Sequence, residues 1–324
     1  MSTEESASLF YQEEELLSKT KKLIELSEHK ENPLLKDLQE ITSGYNSLLR
    51  QTKKLVKMSD SSQKKLNDTI HKLEETTKLL KEEQERAEEL LLNILPVKIA
   101  EELKSNGYVS PVYYDSVSIL FTDFKNFTST ARYLKPQQLV KKLDLAYQEF
   151  DEVCITHSVE KLKTIGDAYM CVAGLPNRNK THPIDICLVA IKFQKVVSSI
   201  KDILKREFNE DFWDIRIGIH SGSVISGVIG KSKFSFDIWG DAVNVAARLE
   251  SGCIENKINV SHTTYEFAKD FFDFEYRGKF EAKNRGSMDM YFLNRIKPEL
   301  SEREIKPNQK FLDMYEEFKH EVDQ

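Results

Sequence analysis

The sequence predicts an α+β protein, in which a long helical segment precedes a ferredoxin-like βαββαβ sandwich. Of the 32 Phe, Tyr and Trp residues only three precede residue 107, and of the 12 Gly residues only Gly44 does. A segment this poor in large rings and turn formers, yet rich in Glu, Lys, Leu and Gln, favours helix over a globular core. Beyond residue 107 the patterns follow the order strand, helix, two strands, helix, strand, which is typical of that sandwich.

Composition excludes several classes of protein. The 324 residues carry 47 Lys and Arg against 53 Asp and Glu, and no apolar stretch is long enough to predict a membrane span. The acidic N-terminus does not resemble a secretory signal, and four widely spaced Cys residues suit reduced thiols in a cytoplasmic protein. The formal net charge of -6 gives no reason to expect a nucleic-acid partner.

The helical segment divides into a polar stretch over residues 1–34, predicted to be helical or mobile, and a longer helix over 35–95. Within the longer helix, the core positions over 66–94 alternate in steps of four and three, as in a heptad seam. These positions are Leu66, Ile70, Leu73, Thr77, Leu80, Gln84, Ala87, Leu91 and Ile94. The seam predicts a parallel dimeric coiled coil over 66–94, and the alternative is one amphipathic helix packed on its own domain.

A similar pattern lies upstream of the seam. Its members are Leu38, Ile41, Tyr45, Leu48, Thr52 and Leu55, and a patch at Ser59–Ser62 then shifts the register by one residue. Pro96 ends the helix, and residues 96–112 are predicted to be a linker.

The elements of the sandwich, predicted over 113–295, follow in order. Val117–Phe121 alternates as a strand, and Pro136 opens a helix whose apolar side chains recur at helical spacing. Leu162–Ile165 and Ala168–Ala173 form a predicted hairpin around Gly166-Asp167. A second long helix is expected over Ile184–Phe208.

The last part of the sandwich begins with an alternating strand that contains Ile215, Ile217 and Ile219. Val224–Ile229 is predicted to pair back on this strand through a turn at Ser221-Gly222. Three elements complete the chain: a short helix over Asp241–Glu250, a strand over Met288–Leu293, and a tail over 296–324 with a short amphipathic helix.

Two acids stand at the ends of predicted strands. Asp123 follows the first strand, and Asp167 occupies the tip of the hairpin. In the predicted strand order these strands are neighbours, so the two carboxylates can point at one spot. Paired carboxylates repel unless they are protonated or bridged by cations, and Mg²⁺ binds one or two carboxylates together with substrate phosphates. The pair therefore indicates a two-metal site for phosphoryl transfer, with ordinary turn acids as the alternative.

Asn244 and Arg248 lie four residues apart on the short helix, so an amide and a guanidinium are side by side. The amide can orient a sugar, and the guanidinium can neutralise charge on phosphate oxygens in a transition state. The alternative is a solvated helix face on which Arg248 pairs with a neighbouring acid.

Several stretches, in order and spacing, strongly resemble the class III nucleotidyl cyclases over residues 110–295. These stretches are Phe121–Thr128, Lys161–Met170, Ile217–Gly222 and Phe236–Ser251. The heptad helix that ends in Leu92–Pro96 is also similar to the transducing coiled coil that precedes the catalytic domain in many bacterial members.

The resemblance implies a set of metal and substrate contacts. Asp123 and Asp167 match the metal-binding aspartates, and the Phe124 carbonyl matches the backbone ligand of two Mg²⁺ or Mn²⁺ ions. Phe127 and Thr128, in the same motif, are expected to contact the substrate.

Lys163 and Asp237 match the pair that reads the base. Lys163 can donate to adenine N1, and Asp237 can accept from the 6-amino group, whereas guanine presents the opposite pattern. The resemblance therefore implies a preference for ATP over GTP.

Asn244 matches the ribose-orienting asparagine, and Arg248 matches the transition-state arginine. Lys283 or Arg285 stands near the family's lysine for the terminal phosphates, although this stretch departs from the usual Lys-Gly-Lys-Gly pattern.

The implied protein is an adenylate cyclase that converts ATP to 3′,5′-cyclic AMP and pyrophosphate. Its sites would be shared across a head-to-tail homodimer, and the residue that takes the proton stays open. The alternatives are a guanylate cyclase, a catalytically silent signalling scaffold, and an enzyme that joins two nucleotides. The last of these lacks its expected Gly-Gly-Asp/Glu-Glu-Phe turn.

Overall fold

The computed structural model describes residues 9–26, 33–230, 234–282, 286–302 and 306–320. The chain divides into two compact units, Met1–Glu89 and Leu90–Gln324. Among the described helices none combines the length and the apolar character that crossing a bilayer requires.

The first unit is a helical hairpin. Helix α1 (Tyr11–Glu25) packs on the first half of α2 (Pro33–Leu92), which is 60 residues long and unbroken at the Ser/Asp patch. Leu17 and Leu49 are buried in the contact, and Glu14 forms an ion pair with Lys53. The apolar positions of the heptad seam, such as Leu66 and Leu73, are exposed in the single chain, so the coiled coil over 66–94 stays a prediction.

A further helix, α3 (Val97–Asn106), occupies most of the predicted linker. Pro96 precedes its first residue, and it ends at Gly107, whose φ of 75° lies in the left-handed region that favours glycine. Ile99 and Ala100 are buried and join the core on one face of the sheet. Ten residues of the segment between the long helix and the first strand are therefore helical, and this helix packs on the sheet.

Eight strands form the main sheet of the second unit. They are β1 (Val112–Phe124), β2 (Glu160–Ile165), β3 (Ala168–Ala173), β4 (Ile215–Ile229), β5 (Ser235–Trp239), β6 (Lys257–Ser261), β7 (Phe272–Ala282) and β8 (Gly286–Ile296). The order is β2-β3-β1-β4-β6-β8-β7, with β5 paired to β4, and β4 and β6 run parallel. The first four strands confirm the predicted ferredoxin-like core, which β5 to β8 extend.

Helices cover both faces of this sheet. In chain order they are α4 (Phe127–Ala131), α5 (Pro136–Thr156), α6 (His182–Phe208), α7 (Asp241–Ser251), α8 (His262–Ala268) and α9 (Gln309–His320). The core on one face takes side chains from α5, α6, α8 and α9, with Phe150, Phe193 and Phe311 almost fully buried. The core on the other face takes α3 and α7. The predicted tail helix is thus present as α9.

The predicted turn at Ser221-Gly222 is wrong, because β4 continues through it. The strand pairs with β1 from Ile215 opposite Phe124 to Ser226 opposite Val112. Its glycines serve the approach of α7 instead of a turn. A Cβ on Gly218 would lie 2.1 Å from the backbone nitrogen of Glu250, and one on Gly222 would lie 3.0 Å from the Ala242 Cβ.

Three short pieces complete the described chain. A 3₁₀ turn (Pro298–Leu300) follows β8, and a two-stranded ribbon of β9 (Ser301–Glu302) and β10 (Lys306–Pro307) precedes α9. Leu300 is buried beside Phe311, which anchors this tail on the α5–α6 face.

Candidate active site

The two predicted metal-binding aspartates lie at the same edge of the sheet. Asp123 is the next-to-last residue of β1, and Asp167 lies between β2 and β3. Strand β3 is hydrogen-bonded to β1, with Tyr169 opposite Thr122. Gly166 has a φ of 65°, which lets the chain turn tightly before Asp167. The two carboxyl groups share a hydrogen bond.

This pair of acids is electrostatically strained. Burial, together with the charge of Asp123 and the hydrogen bond that the protonated Asp167 carboxyl donates to it, raises the pKa of Asp167 to about 6. The backbone N–H groups of Phe124 and Asp167 donate to the carboxylate and act in the opposite direction. Two carboxylates that destabilise each other's charge are the donor set that a hard divalent cation stabilises.

Arg216 and Glu250 extend this cluster, and neither was predicted. Arg216 lies on β4 directly opposite Asp123, and its guanidinium forms an ion pair with that carboxylate. The same guanidinium is 3.2 Å from a carboxylate oxygen of Glu250, at the end of α7. Burial and the charge of Asp123 raise the pKa of Glu250 to about 7, against the effect of Arg216.

Tyr147, on α5, forms a wall of the same region. Its ring stacks on that of Phe124, with ring centroids 6.2 Å apart, and its buried hydroxyl has no hydrogen-bond partner within the described ranges. Burial and the charges of Asp167 and Asp123 raise the pKa of this hydroxyl. Tyr147 is therefore a neutral donor beside the acids.

Lys163 and Asp237 contact each other although they lie on different strands, β2 and β5. The Lys163 ammonium forms an ion pair with one oxygen of the Asp237 carboxylate. The backbone N–H of Ile238 donates to the other oxygen at 2.9 Å. The pair is partly exposed, so a planar base can reach a lysine donor and an aspartate acceptor held side by side.

Asn244 and Arg248 lie on the outer face of α7. The inner face of this helix buries Ala242, Ala246 and Leu249 against the sheet, while Asn244 is exposed and Arg248 half-buried. For the part of the chain that the structure describes, neither side chain has a hydrogen-bond or ion-pair partner. The alternative in which Arg248 pairs with a neighbouring acid is therefore not what the structure shows.

Of the remaining predicted contacts, two begin the short helix after β1 and two lie outside the described residues. Phe127 and Thr128 begin α4, and the Phe127 ring packs on Trp213 with centroids 5.1 Å apart. Lys283 and Arg285 lie outside the described residues. No group of three or more His, Cys, Asp or Glu side chains positioned to hold a metal occurs in the described ranges.

Residues 109–295 match the family described as the adenylate and guanylate cyclase catalytic domain, and the chain belongs to this family. The match covers more than half of the sequence and includes every site residue described above. It confirms the resemblance that the motifs carry.

The named relatives include both guanylyl cyclases and adenylate cyclases. The chain is 37% identical over 231 residues to human guanylyl cyclase C, covering 70% of this chain and 21% of that protein. It is 37% identical over 216 residues to an adenylate cyclase of Mycobacterium bovis, covering 66% of this chain and 48% of that protein. The chain thus spans about a fifth to a half of the length of these relatives.

Solved structures agree with the fold. The non-canonical dimeric guanylyl cyclase domain of the RhoGC fusion protein from the aquatic fungus Blastocladiella emersonii superposes with a TM-score of 0.53 at 30% identity. The superposition covers 57% of this chain and 99% of that domain. The second unit is accordingly a nucleotidyl cyclase catalytic domain.

Proposed function

We propose that the protein is an adenylate cyclase that converts ATP to 3′,5′-cyclic AMP and pyrophosphate. The ion pair between Lys163 and Asp237 carries this proposal. An ammonium can donate to adenine N1, and the adjacent carboxylate can accept from the 6-amino group. Guanine would set its N1 proton against the lysine and its carbonyl against the carboxylate, which leaves both charges badly paired.

The acids at the sheet edge fit divalent cations. Asp123 and Asp167 would hold two ions, Mg²⁺ or Mn²⁺, with the Phe124 carbonyl as a further ligand. When bound, the ions lower the pKa of the ribose 3′-hydroxyl and neutralise triphosphate charge. The fit rests on the raised pKa of Asp167 and the hydrogen bond between the two carboxyl groups.

The side chains around the acids have distinct tasks in the proposed reaction. Asn244 orients the ribose, so that its 3′-oxygen lies in line with the α-phosphorus. As that oxygen bonds to the α-phosphorus, the bond to the bridging oxygen of pyrophosphate breaks, and Arg248 neutralises the charge on the α-phosphate. Arg216 can exchange its contact with Asp123 for polyphosphate oxygens while Glu250 keeps hold of it.

We infer that each site is shared by two chains of a homodimer. Asp123 and Arg216 form a network within the chain, whereas Asn244 and Arg248 point outward without partners among the described residues. A second copy arranged head to tail would place the outer face of α7 over the acid cluster. The solved relative is a non-canonical dimer, so it supports association of two such domains, while the head-to-tail arrangement is part of the proposal.

The specificity is tested by competition. We expect cyclic AMP to exceed cyclic GMP by at least about tenfold when equimolar ATP and GTP are supplied with Mg²⁺ or Mn²⁺. The double substitution Lys163→Glu with Asp237→Cys is expected to reverse this ratio. Lys161→Glu is the matched control, because Lys161 lies on the same strand but contacts Asp151.

Guanylate cyclase is the second candidate, because human guanylyl cyclase C is as similar to this chain as the mycobacterial adenylate cyclase. A preference of the unmodified protein for GTP would establish it and overturn the proposed role of Lys163 and Asp237. Absence of either cyclic product would instead favour the silent scaffold.

A further inference from the structure

The helical hairpin of the first unit has one side that is apolar and exposed. On α1 and the residues just before it, leucines recur every seven positions, and on α2 a second row has the same period. Single-chain exposures are 54–67% in the first row and 59–69% in the second. The rows are Leu9, Leu16 and Leu23 on the first helix, and Ile41, Leu48 and Leu55 on the second.

Both rows lie on the same side of the hairpin. Leu16 directly precedes the buried Leu17, and Leu48 directly precedes the buried Leu49. In an antiparallel helix pair, the positions that directly precede the buried ones face the same side. The ion pair between Glu14 and Lys53 shows that α1 and α2 run antiparallel.

The register of the hairpin also brings the two rows level with each other. The contact of Glu14 with Lys53 and the burial of Leu17 beside Leu49 define this register. Stepping along it by heptads brings Leu16 level with Leu48 and Leu9 level with Leu55. The rows therefore form one apolar strip along the hairpin, with both helices contributing at each level.

The opposite side of the hairpin is polar. It holds the ion pair of Glu14 with Lys53 and a groove whose lining includes Ser18, Lys21 and Asn46. A solvated hairpin has no need to collect its apolar side chains on one side. This division is typical of a helix pair that buries the apolar side against further helices.

We propose that a second copy of this chain covers the apolar strip, so that two hairpins form a four-helix bundle over residues 9–58. The argument for a second copy is continuity. Helix α2 runs unbroken from the hairpin into the predicted heptad seam over 66–94, and Leu66, the first position of that seam, lies 11 residues beyond Leu55, the last residue of the strip on this helix. Two α2 helices paired in parallel along that seam hold two identical strips side by side at the same height.

The spacing accommodates the known break in the pattern. The 11 residues from Leu55 to Leu66 equal one heptad plus four residues, which corresponds to a stutter that locally unwinds a coiled coil at the Ser/Asp patch. The helix itself continues through this patch. The bundle and the coiled coil are therefore two sections of one dimer, and the bundle does not depend on the proposed cyclase chemistry.

The test is the dimer dissociation constant of the full-length chain, measured by sedimentation velocity. Leu16→Lys with Leu48→Lys is expected to raise it by at least about 100-fold, because four leucine side chains that the dimer buries are lost. Ser18→Lys with Ser43→Lys adds the same charge at exposed positions that directly follow the buried Leu17 and Thr42, on the opposite side of the hairpin, and is expected to change it less than about threefold. Far-UV circular dichroism on both variants reports whether the hairpin stays helical.

A second measurement tests the proximity of the strips directly. All four native cysteines are buried, so a bismaleimide should cross-link Leu48→Cys chains into covalent dimers and leave Ser43→Cys chains, substituted on the opposite side of the hairpin, single. Equal dissociation constants for the leucine variant and its control, or equal cross-linking of the two cysteine variants, would overturn the bundle. Loss of cyclic-nucleotide synthesis in variants that remain dimeric would count against the proposed function alone.

Discussion

The acid cluster (Asp123, Asp167, Arg216 and Glu250) and the outer face of α7 are two parts of one proposed site. They differ in whether their charged side chains have partners within the chain. In the acid cluster, Asp123 is already paired with Arg216, and Glu250 holds the other side of that guanidinium. On α7, Arg248 and Asn244 have no partner among the described residues. The charges of the acid cluster are therefore compensated within the chain, and we call this the closed half of the site. Arg248 on α7 has no compensating charge among the described residues, and we call this the open half.

This difference follows from burial. Arg216 and Glu250 are largely removed from solvent, and a buried charge without a counter-charge would destabilise the fold. Arg248 is only half-buried, so water still solvates its guanidinium. Its charge therefore costs the fold little free energy in the absence of a bound anion. A single chain can therefore fold with both halves present. In the proposed site a triphosphate lies between the two halves, so neither half alone can surround it.

The strongest way to break the comparison is to disable one half in each of two chains. Asp123→Ala is expected to abolish metal-dependent turnover, and Arg248→Ala to lower it by about 10²–10³, the scale of one lost charge-stabilising donor. In an equal mixture that exchanges subunits, about half of the dimers carry one intact site, so about a quarter of the unmodified activity should return. The rate of cyclic AMP synthesis measures this recovery.

The control for this experiment is the double variant with both substitutions in one chain. Mixed with an equal amount of unmodified chains, it should lower the activity to about a quarter, below the half that dilution alone gives, because each site of a mixed dimer then contains one disabled half. If the two single variants exchange subunits and still show no recovery, both halves of the site belong to the same chain.

The sequence predicted the open half of the site better than the closed half. Asn244 and Arg248 are four residues apart on one short helix, so their proximity follows from helix geometry alone. Arg216 and Glu250 are 34 residues apart in sequence and meet only because α7 crosses β4. A charged residue between Ile215 and Ile217 was the available clue, since alternate strand residues face opposite sides of a sheet.

The missed elements of the fold have similar causes. The strands β5 and β6 contain five residues each, too few for a periodic pattern to stand out. Helix α3 has ten residues and lies directly after a proline, which favoured a linker. The glycines of β4 resembled a chain reversal because a sequence does not show that a helix passes over them. The long helices α5 and α6, by contrast, contain enough helical turns for their apolar periodicity to be recognised.

A smaller effect is expected from loosening the closed half without removing a ligand. Glu250→Gln keeps the size of the side chain but weakens its hold on Arg216. The contact is an ion pair at 3.2 Å in which the Glu250 oxygen accepts no hydrogen bond from the described residues, so we expect a fall of roughly tenfold in kcat/KM for ATP, which corresponds to about 1.4 kcal/mol. Glu255→Gln, on an exposed turn beyond α7, is the matched control.

The split between kinetic constants makes this prediction specific. If Glu250 positions Arg216 for the polyphosphate, KM for ATP should rise in the variant while the unfolding temperature stays close to that of the control. An unchanged KM together with a lower unfolding temperature would show that Glu250 only stabilises the fold.

The smallest effect on catalysis is expected from a buried acid outside the site. Asp185, on α6, accepts hydrogen bonds from Thr181 at 2.8 Å and from Tyr315 of α9 at 2.7 Å. Burial raises the pKa of Asp185 from 3.8 to about 6, against the effects of these hydrogen bonds and of Lys319. Asp185 thus shares with Asp167 a raised pKa, but its neighbours are hydroxyl groups instead of a second carboxylate.

Since the folded state holds the Asp185 proton more tightly than the unfolded state, the contribution of this group to stability is complete below pH 3.8 and is lost as the pH rises to about 6. Replacement by Asn removes that loss, so the free energy of unfolding of Asp185→Asn relative to the unmodified protein should increase by about 2–3 kcal/mol across this window. Denaturant titrations at several pH values measure it, and Asp202→Asn, at an exposed position of the same helix, is the control. Turnover should stay within about twofold of the unmodified protein, because the hydrogen-bond partners of Asp185 are Thr181 and Tyr315 and not residues of the proposed site. A large loss of turnover in a stably folded Asp185→Asn protein would extend the functional region to the α6–α9 contact and remove the distinction between the two acids.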